Sequence, residues 1–373
     1  MSGTPPTISI PDHLKPADGR FGSGPSKVRP EAVTALAATG TEYLGTSHRQ
    51  ATVQFVVGSL RNLLAEVLAL PDGYEILLGN GGTTAFWDAA VFGLIDLRSQ
   101  HLSFGEFSSK FAAAVTAAPH LAEPSVITSE PGTHPEPVAE EGVDAYALTH
   151  NETSTGVAMA LSRPAENGLV LVDATSAACA LRVDLSVTDV YYFAAQKALA
   201  ADGGLWIAVC SPAAIERIEW LGASERWIPP SLDLKIALDN SRKDQTYNTP
   251  ALATIFLANA QVQWISENGG LEFAAGRCDQ SAATLYGWAE GHEVATPFVV
   301  DPTKRSHVVA TIDFDDTVDA AVLAAVLRSN GIVDVEPYRK LGRNQLRVAM
   351  FPAIDPDDIA ALTQSVDHVL TRL

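Results

Sequence analysis

Two short runs decide the fold class of this chain: Leu169–Asp173, which reads LVLVD, and Val190–Lys197, which reads VYYFAAQK. Both begin with apolar residues, several of them β-branched or aromatic, as in strands that are buried on both faces of a sheet. Asp173 and Lys197 stand 24 positions apart, about the length of one connection plus one strand. We therefore expect two neighbouring parallel strands whose carboxyl ends present both side chains to one crevice.

The sequence around these runs alternates strand patterns with helical patterns. Three further apolar runs predict strands at 74–78, 145–148 and 205–209, and Ala85–Ile95 has helical periodicity. Strands that alternate with helices are typical of an α/β fold with a mostly parallel central sheet.

The C-terminal part has a different pattern, in which strands at 307–314 and 346–350 are each followed by a helix. This order predicts a smaller α+β C-terminal domain. We accordingly expect a large domain at 31–267, and a small domain made of 1–30 together with 268–373.

Composition and charge exclude several classes of function. The 373 residues are 47% apolar and 18% charged, which is typical of a globular protein. The net charge of −19 disfavours nucleic-acid and membrane-surface partners, because such an acidic surface repels phosphates. No signal-peptide pattern or bilayer-length apolar stretch is present, and the three cysteines are widely spaced without a CxxC motif, so we expect a reduced, cytoplasmic protein.

Familiar motifs for metal and serine-hydrolase chemistry are missing from the sequence. It contains no HExxH, no GxSxG and no Cys/His ligand spacing. We therefore predict no metal site.

Lys197 and Asp173 are the strongest candidates for chemistry. Burial lowers the pKa of a lysine and so prepares its amine for Schiff-base formation, although a strand-end lysine can also extend its ammonium to solvent. A strand-end aspartate can cap the next segment or bind a ligand. Together the two side chains fit pyridoxal 5'-phosphate (PLP), with the amine for the aldehyde and the carboxylate for the pyridine nitrogen.

Three further features fit a phosphorylated, ring-containing cofactor and an acidic substrate, and each has a simpler alternative. Gly81–Thr84, between a strand and a helix, offers a phosphate cradle or a plain turn and cap. Phe107 is a candidate to cover a ring, or a core residue. His48-Arg49 and the basic segment 338–347 offer anion contacts or solvated loops.

These features occur in the order of a known family. The sequence resembles the phosphoserine aminotransferases, class V aminotransferases of PLP fold type I, and is most similar to their actinobacterial branch. The resemblance covers nearly the whole chain and is carried by six short motifs: Ser23-Gly24-Pro25, Ser47-His48-Arg49, Asn151-Glu152-Thr153, Gln196-Lys197, Asn248-Thr249-Pro250 and Gln345-Leu346-Arg347.

The resemblance implies amino transfer between L-glutamate and 3-phosphohydroxypyruvate in serine biosynthesis, with a side role in pyridoxine biosynthesis also seen in the family. It implies that Lys197 and Asp173 are catalytic, and it implies a homodimer with shared active sites. The implied cofactor-binding residues are Thr83, Thr84, Phe107, Thr153, Asp173, Gln196 and Lys197, together with Asn248 and Thr249 of the other subunit. The implied substrate-binding residues are Ser23, Arg339 and Arg347, together with His48 and Arg49 across the dimer interface.

The chain departs from the family pattern at several positions near the implied substrate and cofactor contacts. Tyr338 replaces a frequent histidine, Phe107 a frequent tryptophan, Thr84 a common arginine and Ala198 a frequent asparagine. These differences leave open another class V reaction, such as that of a serine– or alanine–glyoxylate aminotransferase. A non-catalytic binding protein with this fold is a third hypothesis, but it would be expected to lack Lys197 or Asp173.

Overall fold

A seven-stranded sheet lies at the centre of the chain in the computed structural model, which describes residues 6–373. The strands of this sheet are β1 (Glu75–Asn80), β2 (Ser99–Ser103), β3 (Ser125–Thr128), β4 (Ala145–Thr149), β7 (Leu169–Asp173), β8 (Val190–Ala194) and β9 (Leu205–Cys210), and a separate short ladder joins β5 (Asn151–Glu152) to β6 (Val157–Ala158). The strand order in the large sheet is β1-β9-β8-β7-β4-β2-β3, and only β9 runs against its neighbours.

Helices cover both faces of this sheet. Two apolar cores result, one on each side, because the strand side chains alternate between the faces. The helices up to residue 267 are α1 (Pro30–Ala38), α2 (Ala51–Val67), α3 (Thr83–Gly93), α4 (Glu106–Thr116), α5 (Pro212–Gly222), α6 (Leu234–Ser241) and α7 (Leu252–Glu267).

The adjacency predicted for the two deciding runs is confirmed. β7 and β8 are parallel neighbours, and Asp173 lies opposite Tyr192 in their register. β4 is the other neighbour of β7, and Thr149 lies opposite Asp173. The carboxyl ends of three parallel strands therefore meet at one edge, which is where open α/β sheets bind ligands.

The C-terminal part forms a three-stranded antiparallel sheet with a core of its own. Its strands are β10 (Ala295–Pro297), β11 (Val309–Phe314) and β12 (Gln345–Ala349), and its helices are α8 (Gly270–Gly291), α9 (Ala320–Ser329) and α10 (Pro356–Leu370). The N-terminal segment packs here, since Phe21 N donates to Val333 O and Phe21 O accepts from Ala349 N. The first five residues of the small domain predicted at 1–30 and 268–373 lie outside the described residues.

The predicted α/β architecture, with its mostly parallel sheet, is thus confirmed. None of the helices between residues 6 and 373 combines the length and the apolar character that a bilayer crossing requires.

Candidate active site

A cavity of about 260 Å³ lies at the carboxyl edge of the central sheet. Its wall contains the last residues of β4 and β7, Thr149 and Asp173, together with Lys197, which follows the end of β8. The structure brings nine of the predicted site residues to this one cavity: Ser23, Thr83, Thr84, Phe107, Thr153, Asp173, Gln196, Lys197 and Arg347.

Lys197 is held inside the cavity wall and not at the surface. Lys197 is only 6% exposed, and its Nζ donates a hydrogen bond to Thr153 Oγ1 at 2.7 Å. Burial lowers the pKa of the Lys197 ammonium to about 8, although the charges of Asp173 and Glu152 act in the opposite direction. At pH 7 about a tenth of the amine is then neutral, and the neutral amine is the form that acts as a nucleophile or a general base.

Asp173 supplies the facing carboxylate. Burial raises the pKa of the Asp173 carboxyl, while hydrogen bonding from Thr175 and the positive charge of Lys197 work against this shift. Its Oδ1 accepts a hydrogen bond from Thr175 N at 2.9 Å. Asp173 thus closes a turn after β7 and also lines the cavity.

A chain of hydroxyl groups behind Lys197 was not predicted from the sequence. Thr153 Oγ1 donates to Ser176 Oγ at 2.9 Å, and Ser176 Oγ donates to Asn151 O at 3.0 Å. Because an ammonium can only donate, this order directs a lone pair of the Thr153 hydroxyl at Lys197. Ser176 and Asn151 therefore orient Thr153.

The glycine-rich turn before α3 forms one end of the cavity. Gly81 has φ +100°, a backbone conformation that favours glycine, and its N–H donates to Gly204 O. Thr83 and Thr84 then open α3 without a side-chain cap, which leaves the first N–H groups of the helix free for an anion. Thr83 Oγ1 lies 2.7 Å from Thr175 Oγ1, which connects this turn to the one after β7.

The N-terminal segment covers Lys197. Ser26 N donates to Gln196 O at 2.9 Å, and Gly24 lies against the lysine side chain. A Cβ at Gly24, where φ is +135°, would stand 2.8 Å from Lys197 Cε. This close approach and the positive φ together favour glycine between Ser23 and Pro25.

Two aromatic rings border the same cavity. The Phe107 ring centroid lies 5.0 Å from Lys197 Nζ and 6.2 Å from the ring centroid of Tyr338. The sequence marks Tyr338 only as a departure from the family, and the structure places it in the wall.

Arg347 brings a positive charge that no acid neutralises. Within residues 6–373 neither Arg347 nor Arg339 has a carboxylate within 4.0 Å, whereas their neighbours Lys340 and Arg343 each form an ion pair. The Arg347 guanidinium lies 5.3 Å from the Tyr338 ring centroid, and Nη1 makes only a long contact of 3.5 Å with Thr153 O. A half-buried cation without a partner is suited to bind a carboxylate from a ligand.

Five predicted residues do not line the cavity: His48, Arg49, Asn248, Thr249 and Arg339. Asn248 and Thr249 lie beside the end of β1, where their backbone oxygens accept from Asn80 Nδ2 at 3.2 and 3.0 Å. Arg49 is exposed, whereas His48 is buried, and burial followed by the charge of Arg49 lowers the pKa of its imidazole. Arg339 is also exposed and stands outside the cavity wall, next to Tyr338.

The residues of the cavity fit PLP. Several buried polar atoms in its wall have no hydrogen-bond partner in the described part of the chain, namely Ser23 Oγ, Trp87 Nε1, Asn151 Oδ1, Gln196 Oε1 and Arg347 Nε. Each such atom costs about 1–3 kcal/mol, so the cavity is suited to a polar occupant. The start of α3 suits a phosphate, Asp173 a protonated ring nitrogen and Lys197 an aldehyde.

Comparison with known proteins identifies a PLP-dependent family, in agreement with the residues of the cavity. Residues 21–335 match the family model for class V aminotransferases. The chain is 60% identical to the phosphoserine aminotransferase of Nocardioides sp. over 370 residues, which cover 98% of this chain and 99% of the relative.

Solved structures share the fold at lower identity. The phosphoserine aminotransferase of Cytophaga hutchinsonii superposes with a TM-score of 0.85 at 23% identity, covering 93% of this chain and 97% of the other. The PLP-bound phosphoserine aminotransferase of Trichomonas vaginalis superposes with a TM-score of 0.81 at 20% identity, covering 94% and 99%. The predicted PLP fold type I is confirmed, and the chain belongs to the class V aminotransferase family of PLP-dependent transaminases.

Proposed function

We propose that this protein is a phosphoserine aminotransferase of serine biosynthesis. In the reaction, L-glutamate and 3-phosphohydroxypyruvate exchange an amino group for an oxo group and give 2-oxoglutarate and O-phospho-L-serine. The 60% identity to the Nocardioides relative supports the proposal at the level of the family. At the level of the site, the main support is the unpaired Arg347 in the same cavity as Lys197 and Asp173, because both amino acids carry an α-carboxylate that must be held beside the reacting amine.

In this proposal PLP is held by the cavity residues already described. The start of α3 with Thr83 and Thr84 would hold the phosphate together with Gln196, Phe107 would pack on the ring, and Thr153 would contact the phenolic side. When bound, PLP supplies an electron sink that stabilises negative charge at the substrate α-carbon.

The protein's own groups then perform binding and proton transfer. Arg347 holds the α-carboxylate, while Ser23 borders the substrate. In its neutral form the Lys197 amine removes the proton from the substrate α-carbon, and its lowered pKa makes that form available near neutral pH. The Asp173 carboxylate keeps a facing ring nitrogen protonated.

We further propose a homodimer in which each active site uses residues of both subunits. Leu44, Phe55 and Tyr247 are large apolar side chains that are 40%, 76% and 47% exposed, and they stand near His48, Arg49 and Asn248 in the sequence. His48 Nε2 is buried and has no partner in the described chain, which is consistent with a contact from outside the subunit. In the dimer, His48 and Arg49 would reach the distal phosphate or γ-carboxylate, helped by Arg339, and Asn248 and Thr249 would reach the phosphate of PLP.

Mixed dimers test the sharing of sites. Neither Lys197→Ala nor Arg49→Ala should be active with phosphoserine by itself. Co-refolding the two variants should restore about a quarter of the wild-type activity, since half of the dimers are mixed and each has one intact site. If the mixture stays as inactive as its components, Lys197 and Arg49 act in the same subunit.

The reaction itself is tested by the absorbance of the purified protein with PLP. We expect O-phosphoserine to bleach the visible band of bound PLP and 2-oxoglutarate to restore it. A protein that stays colourless with PLP would refute the proposal.

The runner-up is transamination of serine or alanine with glyoxylate, and substrate choice distinguishes the two. If L-alanine bleaches the band as efficiently as O-phosphoserine, or if Arg49→Ala slows the reaction with both amino acids equally, the runner-up is correct.

Three further parts of the proposal can each be tested. Cell fractionation tests a cytoplasmic location, limited proteolysis tests the 31–267 domain boundary, and genetic complementation tests a side role in pyridoxine biosynthesis.

A further inference from the structure

Glu152 is a fully buried carboxylate that accepts hydrogen bonds from five donor groups. Its Oε2 accepts from Phe107 N at 3.1 Å, Ser108 N at 2.9 Å and Ser108 Oγ at 3.0 Å. Its Oε1 accepts from Ser154 N at 3.2 Å and Ser154 Oγ at 2.7 Å. Since no lysine, arginine or histidine nitrogen approaches it within 4.0 Å in residues 6–373, N–H and O–H dipoles alone compensate its burial.

Most of the donors of Glu152 belong to the start of α4. This helix begins after Gly105, which has no side chain with which to cap it, and Glu152 occupies the place of a cap from a distant strand. A Cβ at residue 105 would stand 2.3 Å from Glu152 Cγ, so the glycine makes room for the carboxylate. A negative charge stabilises the N-terminus of any helix. This general effect does not explain why the carboxylate is placed at the start of α4 in particular.

The first turn of α4 carries Phe107, and this connects Glu152 to the active site. The carboxylate accepts from the backbone N–H of Phe107 itself, and the ring of Phe107 lies 5.0 Å from Lys197 Nζ. The residue after Glu152 is Thr153, which accepts from the same Nζ. A shift of Glu152 would therefore move the ring relative to the amine.

We propose that Glu152 is a positioning residue, which fixes the first turn of α4 and thereby holds the Phe107 ring in place against bound PLP. This inference rests on the proposed function, because it assigns to Phe107 the role of packing on the cofactor ring. Glu152 itself does not touch the reacting groups and acts through Phe107.

The test combines Glu152→Gln with Phe107→Leu and measures the rate of PLP dissociation from the holoenzyme. Glutamine has one acceptor oxygen in place of two, so its NH2 group must face donors either at the start of α4 or at Ser154, and we expect about tenfold faster dissociation. In the Phe107→Leu background the same change should have little further effect, because coupled residues are not additive. In the apoenzyme, hydrogen exchange at the amides of Phe107 and Ser108 should also become faster.

Asp144→Asn is the matched control. Asp144 accepts from the N–H groups of Asp96, Leu97 and Arg98 at 2.7–2.8 Å, and it immediately precedes β4, at the opposite edge of the same sheet. The Asp144→Asn substitution should lower the urea midpoint of unfolding and leave the rate of PLP dissociation unchanged.

The inference is overturned if Glu152→Gln accelerates PLP release equally in the Phe107→Leu background, or if Asp144→Asn accelerates it as much. The first result would indicate that Glu152 acts through its charge on Lys197, and the second a general loss of stability. Failure of the wild-type protein to bind PLP would instead refute the proposed function, and the two failures are thereby distinguishable.

Discussion

The amine of Lys197 donates a hydrogen bond to Thr153 Oγ1 at 2.7 Å and has no carboxylate within 4.0 Å in residues 6–373. Asp173 lines the same cavity and interacts with the lysine by longer-range charge–charge attraction, without an ion pair. A buried cation without an ion pair is costly for the fold, and the same burial gives the amine its neutral form. The chemistry and the stability of this site are therefore opposed.

This opposition predicts that Lys197→Met stabilises the apoenzyme at pH 7. The pKa of Lys197 is about 8 in the folded protein and 10.5 as its ordinary value, so the unfolded chain binds the proton more tightly. The penalty is complete below pH 8 and disappears as the pH rises from 8 to 10.5; it amounts to about 3 kcal/mol at most. Urea unfolding of both apoproteins from pH 7 to pH 10.5 should show that their difference in free energy of unfolding decreases as the pH rises.

A comparison with Lys243→Met, at an exposed lysine, separates this effect from a general gain of hydrophobicity. If the difference in free energy of unfolding between wild type and Lys197→Met does not change with pH, Lys197 has an ordinary pKa.

Asp173→Asn should reduce turnover by about 100-fold or more while the fold is retained. Asparagine keeps an oxygen for the hydrogen bond from Thr175 N, but it cannot hold a facing ring nitrogen in its protonated form. Loss of this negative charge should also lower the pKa of Lys197 further below 8, because Asp173 raises it. Steady-state rates and the pH dependence of PLP uptake by the apoenzyme measure the two effects separately.

An Asp173→Asn protein with the turnover of the wild type would contradict the assignment. A protein that has lost both turnover and its thermal transition would show a folding defect, and Asp173→Glu would then be the variant to examine.

The sequence was sufficient to predict that Asp173 and Lys197 line one cavity, because both residues follow strands. An apolar run of five residues ending in Asp173, and another followed by Lys197, fix both positions through the geometry of parallel neighbours. The antiparallel direction of β9 could not be predicted in this way, since a strand buried on both faces has the same pattern in either direction.

The supporting groups could not be predicted, because contacts between distant parts of the chain create them. Ser176 is useful only because Thr153 and Asn151 fold against it, and Glu152 because α4 begins beside it. Tyr338 could be noticed only as a difference from the family. In each case the residue type is common and the pattern around it has no periodicity that indicates a site.

Arg347→Lys should raise the KM for glutamate and for O-phosphoserine by similar factors. Both substrates have the same α-carboxylate, and lysine provides a charge but not the two parallel hydrogen bonds of a guanidinium. A loss of about 1.5–3 kcal/mol, or about 10- to 150-fold in kcat/KM, is the expected range. If only one substrate is affected, Arg347 binds a distal group instead, and the roles of Arg347 and Arg49 must be exchanged.

Gly24→Ala should disturb Lys197 more than it disturbs the fold. The new methyl group would stand 2.8 Å from Lys197 Cε, and the backbone φ of +135° is one that alanine rarely adopts. The lysine side chain must therefore shift, which disturbs its hydrogen bond to Thr153. We expect weaker retention of PLP in the visible spectrum together with a loss of stability of about 1–3 kcal/mol. Gly142→Ala provides the control, because Gly142 also has a positive φ, +79°, but no atom within 4 Å of the added Cβ. It should show the loss of stability with normal PLP binding, whereas equal PLP binding by both variants would mean that the N-terminal segment does not hold Lys197.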